Sequence, residues 1–515
     1  MRRALDALQA RVFEEALVEG AGVSVADLME AAGRAVARRA ALAERVVVVA
    51  GKGNNAGDGW VCARVLHEEG KHVRVVSLVD LSELPDPAAG AARESVAAGV
   101  AWEDGDAATV SEACAEADLV IDAIFGFGIR GAVKELFAAA VRAVNESGCE
   151  VLSVDVPSGV EASTGVAHGE AVRATRTVAL LSLKLCHVLQ PSASLCGEVE
   201  LDNLGFETSS FVPPGAVEVW EDRDAASVIP RTSPADHKGS RGRVLVVGGS
   251  RGMSGAVVLS AWAALRSGAG YVIAAVPEGI ADIVDSKVTP VVVRALPDDA
   301  RAAAEAVAKS AADAHAVLVG PGMGASDFTR TVVRSLWEQV EAPLLVDADG
   351  LNALAGGPVP ARPGPEEQAP VILTPHPGEA ARLLGRRVTD IQADRVAASR
   401  EISEGFGATV VLKGAGAVVC EASASGPEGS SGRTAVITSG TAALATMGTG
   451  DVLAGLVTGF LAQGLSPYDA ACAGAHVHGV AGRKASEALT DLATTAEDVL
   501  DSIPAALAVV SSVGV

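Results

Sequence analysis

The hydrophobic pattern of this 515-residue chain alternates between short apolar runs and longer amphipathic segments. In the first part of the chain the apolar runs, rich in β-branched residues, are Val46–Ala50, Val73–Leu78, Leu119–Ile124, Val151–Val156 and Thr177–Leu181. Helix-compatible segments such as Ala56–Glu69 and Val133–Asn145 lie between them. Continuous apolar strands separated by helices are typical of a parallel sheet covered on both faces. The pattern therefore predicts an α/β fold.

The same alternation returns in the second half of the chain. Its apolar runs are Val244–Val247, Tyr271–Val276, Ala316–Val319, Leu344–Val346, Val371–Leu373, Thr409–Leu412 and Ala417–Val419. Between the two series the pattern fades over the proline-rich residues 207–240. We therefore place a linker at 216–235, between domains of residues 1–215 and 236–515. The sequence predicts two three-layer α/β domains, with the Ser- and Gly-rich residues 421–433 forming a hairpin loop.

Composition narrows the class of partner. The net charge is -23 at pH 7, and aromatic residues make up only 3% of the chain. Both values argue against a nucleic acid bound through its phosphates or by base stacking. An anionic small molecule is compatible with the charge, because local N–H donors and a few cations can oppose it.

Cysteine use and hydropathy predict a cytoplasmic protein. The seven cysteines are scattered, without a CxxC pair or a His/Cys cluster of metal-binding spacing, so we expect buried reduced thiols. Asp6, Glu14 and Glu15 interrupt the apolar core that a signal peptide would need. Because the chain lacks any run of roughly eighteen apolar residues, we expect no membrane span.

A loop rich in glycine and asparagine follows the first apolar run. It reads GKGNNAGDGW over residues 51–60, and such a loop between a strand and a helix can wrap a phosphate or nucleotide closely. Its spacing fits neither the GxGxxG fingerprint nor a Walker loop. Asp58 is a candidate catalytic or ligand-binding carboxylate. The alternative interpretation is a tight turn that uses Asn and Gly for unusual dihedral angles.

Two later strands end in comparable polar clusters. Asp122 precedes FGFGIRG, and Asp155 precedes PSG. Because ligands bind beyond the carboxyl ends of parallel strands, we expect these loops to converge. Asp122, Asn55 and Ser158 offer hard oxygen ligands for a group 1 or group 2 cation. Lys184 could meet an anion at the same edge, although a solvated surface charge is the favoured interpretation.

The motifs LMEAAGRAV, GKGNNAGDG, DAIFGFGIRG and VDVPSG together resemble those of the NAD(P)H-hydrate epimerase domain, which is Rossmann-like, over about residues 1–215. The resemblance implies interconversion of the R and S epimers of hydrated NADH or NADPH (NADHX and NADPHX). It implies substrate contacts by Asn54, Asn55, Ala56, Gly57, Asp58, Gly126, Phe127, Gly128, Ile129, Arg130 and Asp155. It also implies a K⁺ ion held by Asn55, Asp122 and Ser158. Asp155 is our favoured catalytic residue.

The stretch TMGTGDVLAG, residues 446–455, carries the strongest chemistry of the second half. Gly448 and Gly450 flank Thr449, and Asp451 follows where an apolar helical pattern begins. Glycines before a helix let backbone N–H groups converge on an anion, which the helix dipole also favours. A carboxylate beside that site could accept the proton of a hydroxyl that attacks a phosphoryl group. The alternative is an ordinary helix N-terminus.

Other polar segments follow strands in the second half. They are HKGSRGRVLVVGGSRGMSGA, GPGMG, VDADGLNAL, LTPHPGEAARL and VVLKGAGAVV. His376 occupies a strand-to-helix turn, and Glu379 is interpreted as a helix starter that complements the dipole. For Asp347, Asp349 and Asn352 we favour a structural or outer-shell role, with water-mediated Mg²⁺ binding as the alternative.

In their order along the chain, these motifs resemble the ribokinase-like NAD(P)H-hydrate dehydratase domain. The resemblance implies ADP as co-substrate, with Mg²⁺, and its conversion to AMP and phosphate. Ala256, Gly322, His376 and Asp451 would line the hydrate substrate. The residues implied to bind the nucleotide are Lys413, Gly414, Ala415, Gly416, Ala417 and Gly450. We also expect a homo-oligomer.

Two other functions fit the same motifs. The second half could be a vitamin or sugar kinase with the first half as its regulatory module. Alternatively, the first half could bind a ligand without catalysing a reaction. A stable phosphorylated product would indicate the kinase, and conversion of the R epimer would argue against a non-catalytic first half.

Overall fold

The computed structural model describes residues 2–357, 369–422 and 432–513. The chain forms two compact units, Arg2–Val217 and the remainder from Glu218 onward. Within the described ranges no helix is both long and apolar enough to cross a bilayer. All seven cysteines are free, and every one except the half-buried Cys149 is buried.

The first unit is built on a parallel sheet. Its strands are β1 (Arg2–Leu5), β2 (Arg45–Ala50), β3 (His72–Ser77), β4 (Ala101–Asp104), β5 (Leu119–Ala123), β6 (Glu150–Val154), β7 (Arg176–Leu180), β8 (Leu183–Lys184) and β9 (Glu198–Asp202). The helices are α1 (Ala7–Ala21), α2 (Val25–Ala40), α3 (Asn54–Glu68), α4 (Ala88–Ala97), α5 (Ala107–Cys114) and α6 (Glu135–Glu146). The sheet order is β4-β3-β2-β5-β6-β7-β9, with every pair parallel, and β1 pairs in parallel with β8. The direction of winding reverses between β2 and β5, which is where such sheets bind ligands.

Both faces of this sheet are covered. Alternate residues of β2 belong to different cores: Val46 and Val48 pack with Trp60 of α3, whereas Val47 and Val49 pack with residues of α5 and α6. This alternation follows from the two-residue repeat of a strand. The prediction of a three-layer α/β domain is confirmed for this unit.

The second unit has a longer, mixed sheet. Its strands are β10 (Val217–Trp220), β11 (Arg243–Val247), β12 (Tyr271–Pro277), β13 (Val292–Leu296), β14 (Ala316–Val319), β15 (Leu344–Val346), β16 (Val371–Leu373), β17 (Thr409–Leu412), β18 (Ala417–Cys420) and β19 (Thr434–Ile437). The order is β13-β12-β11-β14-β15-β16-β17-β18-β19-β10. Strands from β13 to β17 are parallel, whereas β18 is antiparallel to both neighbours. Winding reverses between β11 and β14.

Helices cover both faces of this second sheet as well. They are α7 (Asp222–Val228), α8 (Ser254–Arg266), α9 (Ala281–Asp285), α10 (Ala300–Ala311), α11 (Asp327–Gln339), α12 (Asp349–Leu354), α13 (Pro377–Leu384), α14 (Val388–Ala393), α15 (Arg395–Phe406), α16 (Thr449–Ala462), α17 (Pro467–Leu489) and α18 (Ala496–Ser512). One core joins α8, α16, α17 and α18 to alternate residues of the strands. Helices α10 and α11 pack against each other, and α10 contacts β11 and β13.

Helix α16 sits deep in this core because glycines let it approach α8 closely. A β-carbon on Gly455 would lie 2.1 Å from the Ser260 carbonyl oxygen, which no side chain could accommodate. The Ser260 hydroxyl also donates to the Asp451 carbonyl at 3.0 Å. These contacts fix the first turn of α16, and hence Asp451, relative to α8.

The structure describes all of one predicted connecting segment and the two ends of another. The segment 216–235 was predicted to be a linker, and within it the structure forms most of β10 and all of α7. The strand gives little signal in the sequence because only four residues form it, and Pro213 and Pro214 lie three to four residues before it. For the hairpin loop at 421–433, the flanking β18 and β19 pair antiparallel, and residues 423–431 lie outside the described residues.

Candidate active sites

A pocket of about 580 Å³ opens at the carboxyl ends of β2 and β5 in the first unit. Gly51 lets the loop after β2 approach the end of β5, since a β-carbon there would lie 2.0 Å from the Ile124 carbonyl oxygen. The residues predicted to contact a substrate that line this pocket are Asn54, Asn55, Asp58, Gly126, Phe127, Gly128, Ile129 and Asp155. The loops expected to converge therefore do so.

Three other residues predicted to contact a substrate lie outside the described lining. Ala56 is fully buried in the core beneath α3. Gly57 packs against Met29. Arg130 is exposed at the end of the FGFGIRG loop. The period of helix α3 explains the first two, because it begins at Asn54 and turns Ala56 and Gly57 inward.

A buried ion pair lies beside the pocket. Lys184 Nζ donates to Asp155 Oδ1 at 2.5 Å, and also to the carbonyl oxygens of Leu180 at 2.8 Å and Ser182 at 3.2 Å. The lysine side chain is 1% exposed. The expectation that Lys184 is a solvated surface charge was therefore wrong, because a carboxylate and two carbonyls satisfy all three ammonium protons.

His187 holds this pair in place. The Lys184 backbone N–H donates to His187 Nδ1 at 3.0 Å, so the proton lies on Nε2, 2.8 Å from the Asp155 carbonyl oxygen. Burial lowers the pKa of His187 to about 4. The ring is therefore neutral near pH 7 and acts as a structural clamp on the backbone of Asp155, whose φ of 61° is left-handed.

Asp58 and Asp122 are further buried carboxyls of this unit. Burial, together with the charges of Asp155 and Glu14, raises the pKa of Asp58 well above its usual value. Asp122 accepts hydrogen bonds from the Ser158 hydroxyl at 2.5 Å, the Ser158 backbone N–H at 2.9 Å and the Ser153 hydroxyl at 2.8 Å. Burial also raises the pKa of Asp122, despite these bonds.

In the second unit the ammonium group of one lysine lies close to several carboxylates. Lys413 Nζ donates to Asp347 Oδ1 at 2.7 Å and lies 3.8 Å from Glu379 Oε2. A β-carbon on Gly450 would be 3.6 Å from the same nitrogen, which places Lys413 beside the first turn of α16. Burial lowers the pKa of Lys413, but the charges of Asp347, Glu379 and Asp451 outweigh it and raise the pKa overall.

Asp451 lies in the first turn of α16, after Gly448 in the left-handed conformation with φ 94°. Burial, with the charges of Asp347, Asp349 and Glu379, raises the pKa of Asp451 to about 7, although Lys413 opposes the shift. The first amides of a helix lack intrahelical acceptors and can bind an anion. A proton acceptor therefore stands next to an anion-binding helix end and a lysine.

Of the substrate residues predicted for this unit, Ala256 and Gly322 lie close together, and His376 lies on the turn before α13. A β-carbon on Gly322 would be 2.9 Å from Ala256 Cβ. His376 is the N-cap of α13 and donates its backbone N–H to Glu379 at 2.7 Å. Glu379 lies in the first turn, where a helix starter that complements the dipole was expected, and its Oε2 is 3.8 Å from Lys413 Nζ. Burial, with nearby Lys413 and Arg382, lowers the pKa of His376.

A buried arginine shapes the KGAGA loop. Arg395 Nη2 donates to the carbonyl oxygens of Leu412 at 3.2 Å, Lys413 at 3.4 Å and Gly416 at 3.2 Å. Arg395 therefore holds the backbone of the loop in place, and the Lys413 side chain lies beside Gly450. Gly414, with φ 140°, lies against the guanidinium.

Comparison with known proteins identifies both units. Residues 244–505 match the family described as NAD(P)H-hydrate dehydratase, and residues 14–186 match the family described as YjeF-related protein N-terminus. The chain is also similar to the bifunctional NAD(P)H-hydrate repair enzyme Nnr of Moorella thermoacetica, with 37% identity over 507 residues, 95% of this chain and 91% of the relative. This chain belongs to the bifunctional NAD(P)H-hydrate repair enzyme family.

A second curated relative agrees with this assignment. The repair enzyme Nnr of Escherichia coli K12 is 32% identical over 472 residues, 89% of this chain and 85% of the relative. A solved ADP/ATP-dependent NAD(P)H-hydrate dehydratase from Bacillus subtilis, co-crystallised with ATP and Mg²⁺, is 27% identical, covers 57% of this chain and 99% of that one, and has a TM-score of 0.49. The prediction of a repair enzyme with an epimerase and a dehydratase domain is confirmed.

Several residues of this family member's sites were missed from the sequence. Arg395 holds the loop of Lys413. Buried His478 faces Thr449 and Lys413, and burial lowers its pKa to about 4. Glu14 lines the first pocket. Nothing in their local sequence marks them, because each depends on a partner far away along the chain.

Proposed function

We propose that residues 1–215 interconvert the R and S epimers of NADHX and NADPHX, and that residues 236–515 dehydrate the S epimer while ADP becomes AMP and phosphate. The observation that supports the dehydratase half most strongly is the position of Asp451, at a helix N-terminus beside Lys413. Its carboxyl has the pKa of about 7 that suits a base at neutral pH.

In the dehydratase, Asp451 takes the proton of the ring hydroxyl as that oxygen attacks the terminal phosphorus of ADP. The bond to AMP breaks, and AMP leaves with the electron pair. The lone pair of the ring nitrogen then expels phosphate from the neighbouring carbon, and loss of a ring proton restores NADH or NADPH. Phosphorylation is needed because hydroxide is a poor leaving group.

The other groups position the two substrates and stabilise the transferred phosphoryl group. Lys413, held by Asp347, and the amides after Gly448 face the charge that develops on the transferred phosphoryl group. The KGAGA loop, Lys413 to Ala417, and Gly450 bind the adenine nucleotide. Ala256, Gly322 and His376 line the hydrate.

Mg²⁺ fits this site as a companion of the nucleotide. Among the described residues no three His, Cys, Asp or Glu side chains cluster as metal ligands. Because Mg²⁺ keeps several waters and binds readily to phosphate oxygens, we propose that it enters with ADP and that Asp347 and Asp349 face its waters. The ion would neutralise phosphate charge.

K⁺ fits the first unit. The donors to Asp122 that the structure shows are neutral hydroxyl and backbone groups, and its carboxyl is completely buried. A monovalent cation held by Asn55, Asp122 and Ser158 would supply the missing positive charge. Asp155, paired with Lys184, is our proposed catalytic residue of the epimerase.

The pH dependence of dehydration should follow Asp451. Because the base must be deprotonated, kcat for the S epimer should rise about tenfold per pH unit below about pH 7 and level off above it. Steady-state rates with saturating ADP, from about pH 5.5 to about pH 9, check this. A flat profile would show that another group accepts the proton.

Mixed epimers test both activities together. With purified protein, Mg²⁺ and K⁺, ADP should drive complete recovery of reduced nicotinamide absorbance from both epimers, with one phosphate released per cofactor. ATP in a parallel reaction decides the nucleotide preference. A stable phosphorylated product would instead support the vitamin or sugar kinase, and recovery of the S epimer alone would leave the first unit as a binding module.

Two further properties stay predictions. We propose a cytoplasmic location, because both substrates are hydrated forms of NADH and NADPH, which are cofactors of the cytoplasm. We also propose a homo-oligomer. Size-exclusion chromatography with light scattering measures the second directly.

A further inference from the structure

Glu14 adds a carboxyl from α1 to the pocket that also contains Glu15, Asp58 and Asp155. It lies on α1, is half-buried, and lines the pocket together with Asn55 and Asp58. Asn55 is 8% exposed, and its Nδ2 has no hydrogen-bond partner among the described residues. A buried amide donor without a partner in such a pocket indicates that a ligand atom completes the site.

The surroundings of Glu14 favour the protonated form more than water does. Burial raises the pKa of Glu14 to about 7, with Asp155 and Glu15 adding to the shift and Lys184 and Arg11 opposing it. At neutral pH this carboxyl is therefore present in both protonation states, as an acid–base catalyst requires.

Asp155 has different surroundings. Its Oδ1 accepts hydrogen bonds from the Lys184 ammonium at 2.5 Å and from the Leu180 backbone N–H at 3.0 Å. Such bonds suit a carboxylate anion. Glu14 and Asp155 are two of the four carboxyls in this pocket, and a difference in surroundings of this kind is typical of an acid and a base that work together.

We propose that Glu14 is a catalytic residue of the epimerase and acts as its proton donor, an inference that rests on the proposed function of the first unit. Glu14 protonates the ring hydroxyl, the carbon–oxygen bond breaks, and the lone pair of the adjacent ring nitrogen forms a C=N bond as water leaves. Water then adds to the opposite face of that carbon and gives its proton to Asp155. Exchange with solvent restores both carboxyls.

The test compares Glu14→Gln with Glu19→Gln in the full-length chain. Glu19 is an exposed residue of the same helix, so its variant makes the same charge change. With ADP and only the R epimer, Glu14→Gln should lower kcat by about 10²–10⁴-fold with little change in KM. Glu19→Gln should keep the wild-type rate, and both variants should convert the S epimer normally.

The outcomes distinguish failure of the role of Glu14 from failure of the proposed epimerase activity. A wild-type rate in Glu14→Gln overturns the role of Glu14 while the epimerase stands. If the wild-type protein does not convert the R epimer faster than the uncatalysed reaction, the epimerase itself is overturned. Should hydrogen exchange show that Glu14→Gln disturbs α1, Glu14→Asp replaces it: reduced, pH-dependent conversion supports the proposal, and complete loss in a folded variant contradicts it.

Labelled water tests the bond that breaks. Without nucleotide, each epimerisation in water that carries heavy oxygen should place one solvent oxygen on the ring, as mass spectrometry detects. Retention of the original oxygen through many epimerisations would overturn the cleavage step assigned to Glu14.

Discussion

Replacing Asp451 with Asn is expected to lower kcat for dehydration of the S epimer by about 10²–10⁴-fold. Asn has almost the same shape and can keep the helix end intact, but it cannot accept the hydroxyl proton. Binding should change little, because the backbone of Asp451 is held by Ser260 through its carbonyl oxygen and not through its side chain. Single-turnover kinetics with ADP measure the chemical step, and calorimetry measures nucleotide binding.

Asp327→Asn is the matched control. Asp327 also lies in the first turn of a helix, but its side chain is 93% exposed on α11. This variant should be fully active. If Asp451→Asn kept wild-type turnover, or retained the rise of rate with pH through about 7, Asp451 would not be the base.

Replacing Lys184 with Met is expected to lower the free energy of unfolding of the first unit by about 3–5 kcal/mol. The change removes the partner of the Asp155 carboxylate and the donor to the Leu180 and Ser182 carbonyls. A buried charge left without its partner costs more than the ion pair contributes when intact. Hydrogen exchange in urea, followed on peptides of β2 and β5, reports on this unit alone.

A surface lysine and a double variant complete that experiment. Lys52 pairs with Glu83, and both side chains are more than half exposed, so Lys52→Met should cost less than about 1 kcal/mol. Adding Asp155→Asn to Lys184→Met should recover part of the lost stability, since Asn tolerates the left-handed φ of this position. Equal small losses from both lysine variants would mean that Lys184 is hydrated in solution.

The central strands of both sheets were predictable from the sequence. Ala316–Val319 and Leu344–Val346 were expected and found with the same bounds, because strands buried on both faces need continuous apolar residues. Edge strands were missed. Glu198–Asp202 alternates charged and apolar residues, Ala101–Asp104 ends in two acidic residues, and both strands are partly exposed, so they lack that signal.

At the candidate sites, the positions of the loops were predictable from the sequence, but the burial and pairing of the charged side chains were not. Glycine and asparagine mark Gly51 and its neighbours because a strand must turn sharply there beside another strand. The burial of Lys184 could not be read in the same way, since its partner is 29 residues away. Arg395 likewise acts through carbonyls 17 to 21 residues further along the chain. Such pairings exist only once the tertiary structure has formed.

The contact between Gly455 and Ser260 has a consequence for protein engineering. A methyl group there would push α16 away from α8 and tilt the Asp451 carboxylate, although Gly455 itself lies about one helical turn after Asp451. Loss of turnover at this position would therefore say nothing about direct participation. A variant library that left only the residues near the ligands unchanged would still contain inactive variants, because substitutions at the contact between α8 and α16 would move Asp451.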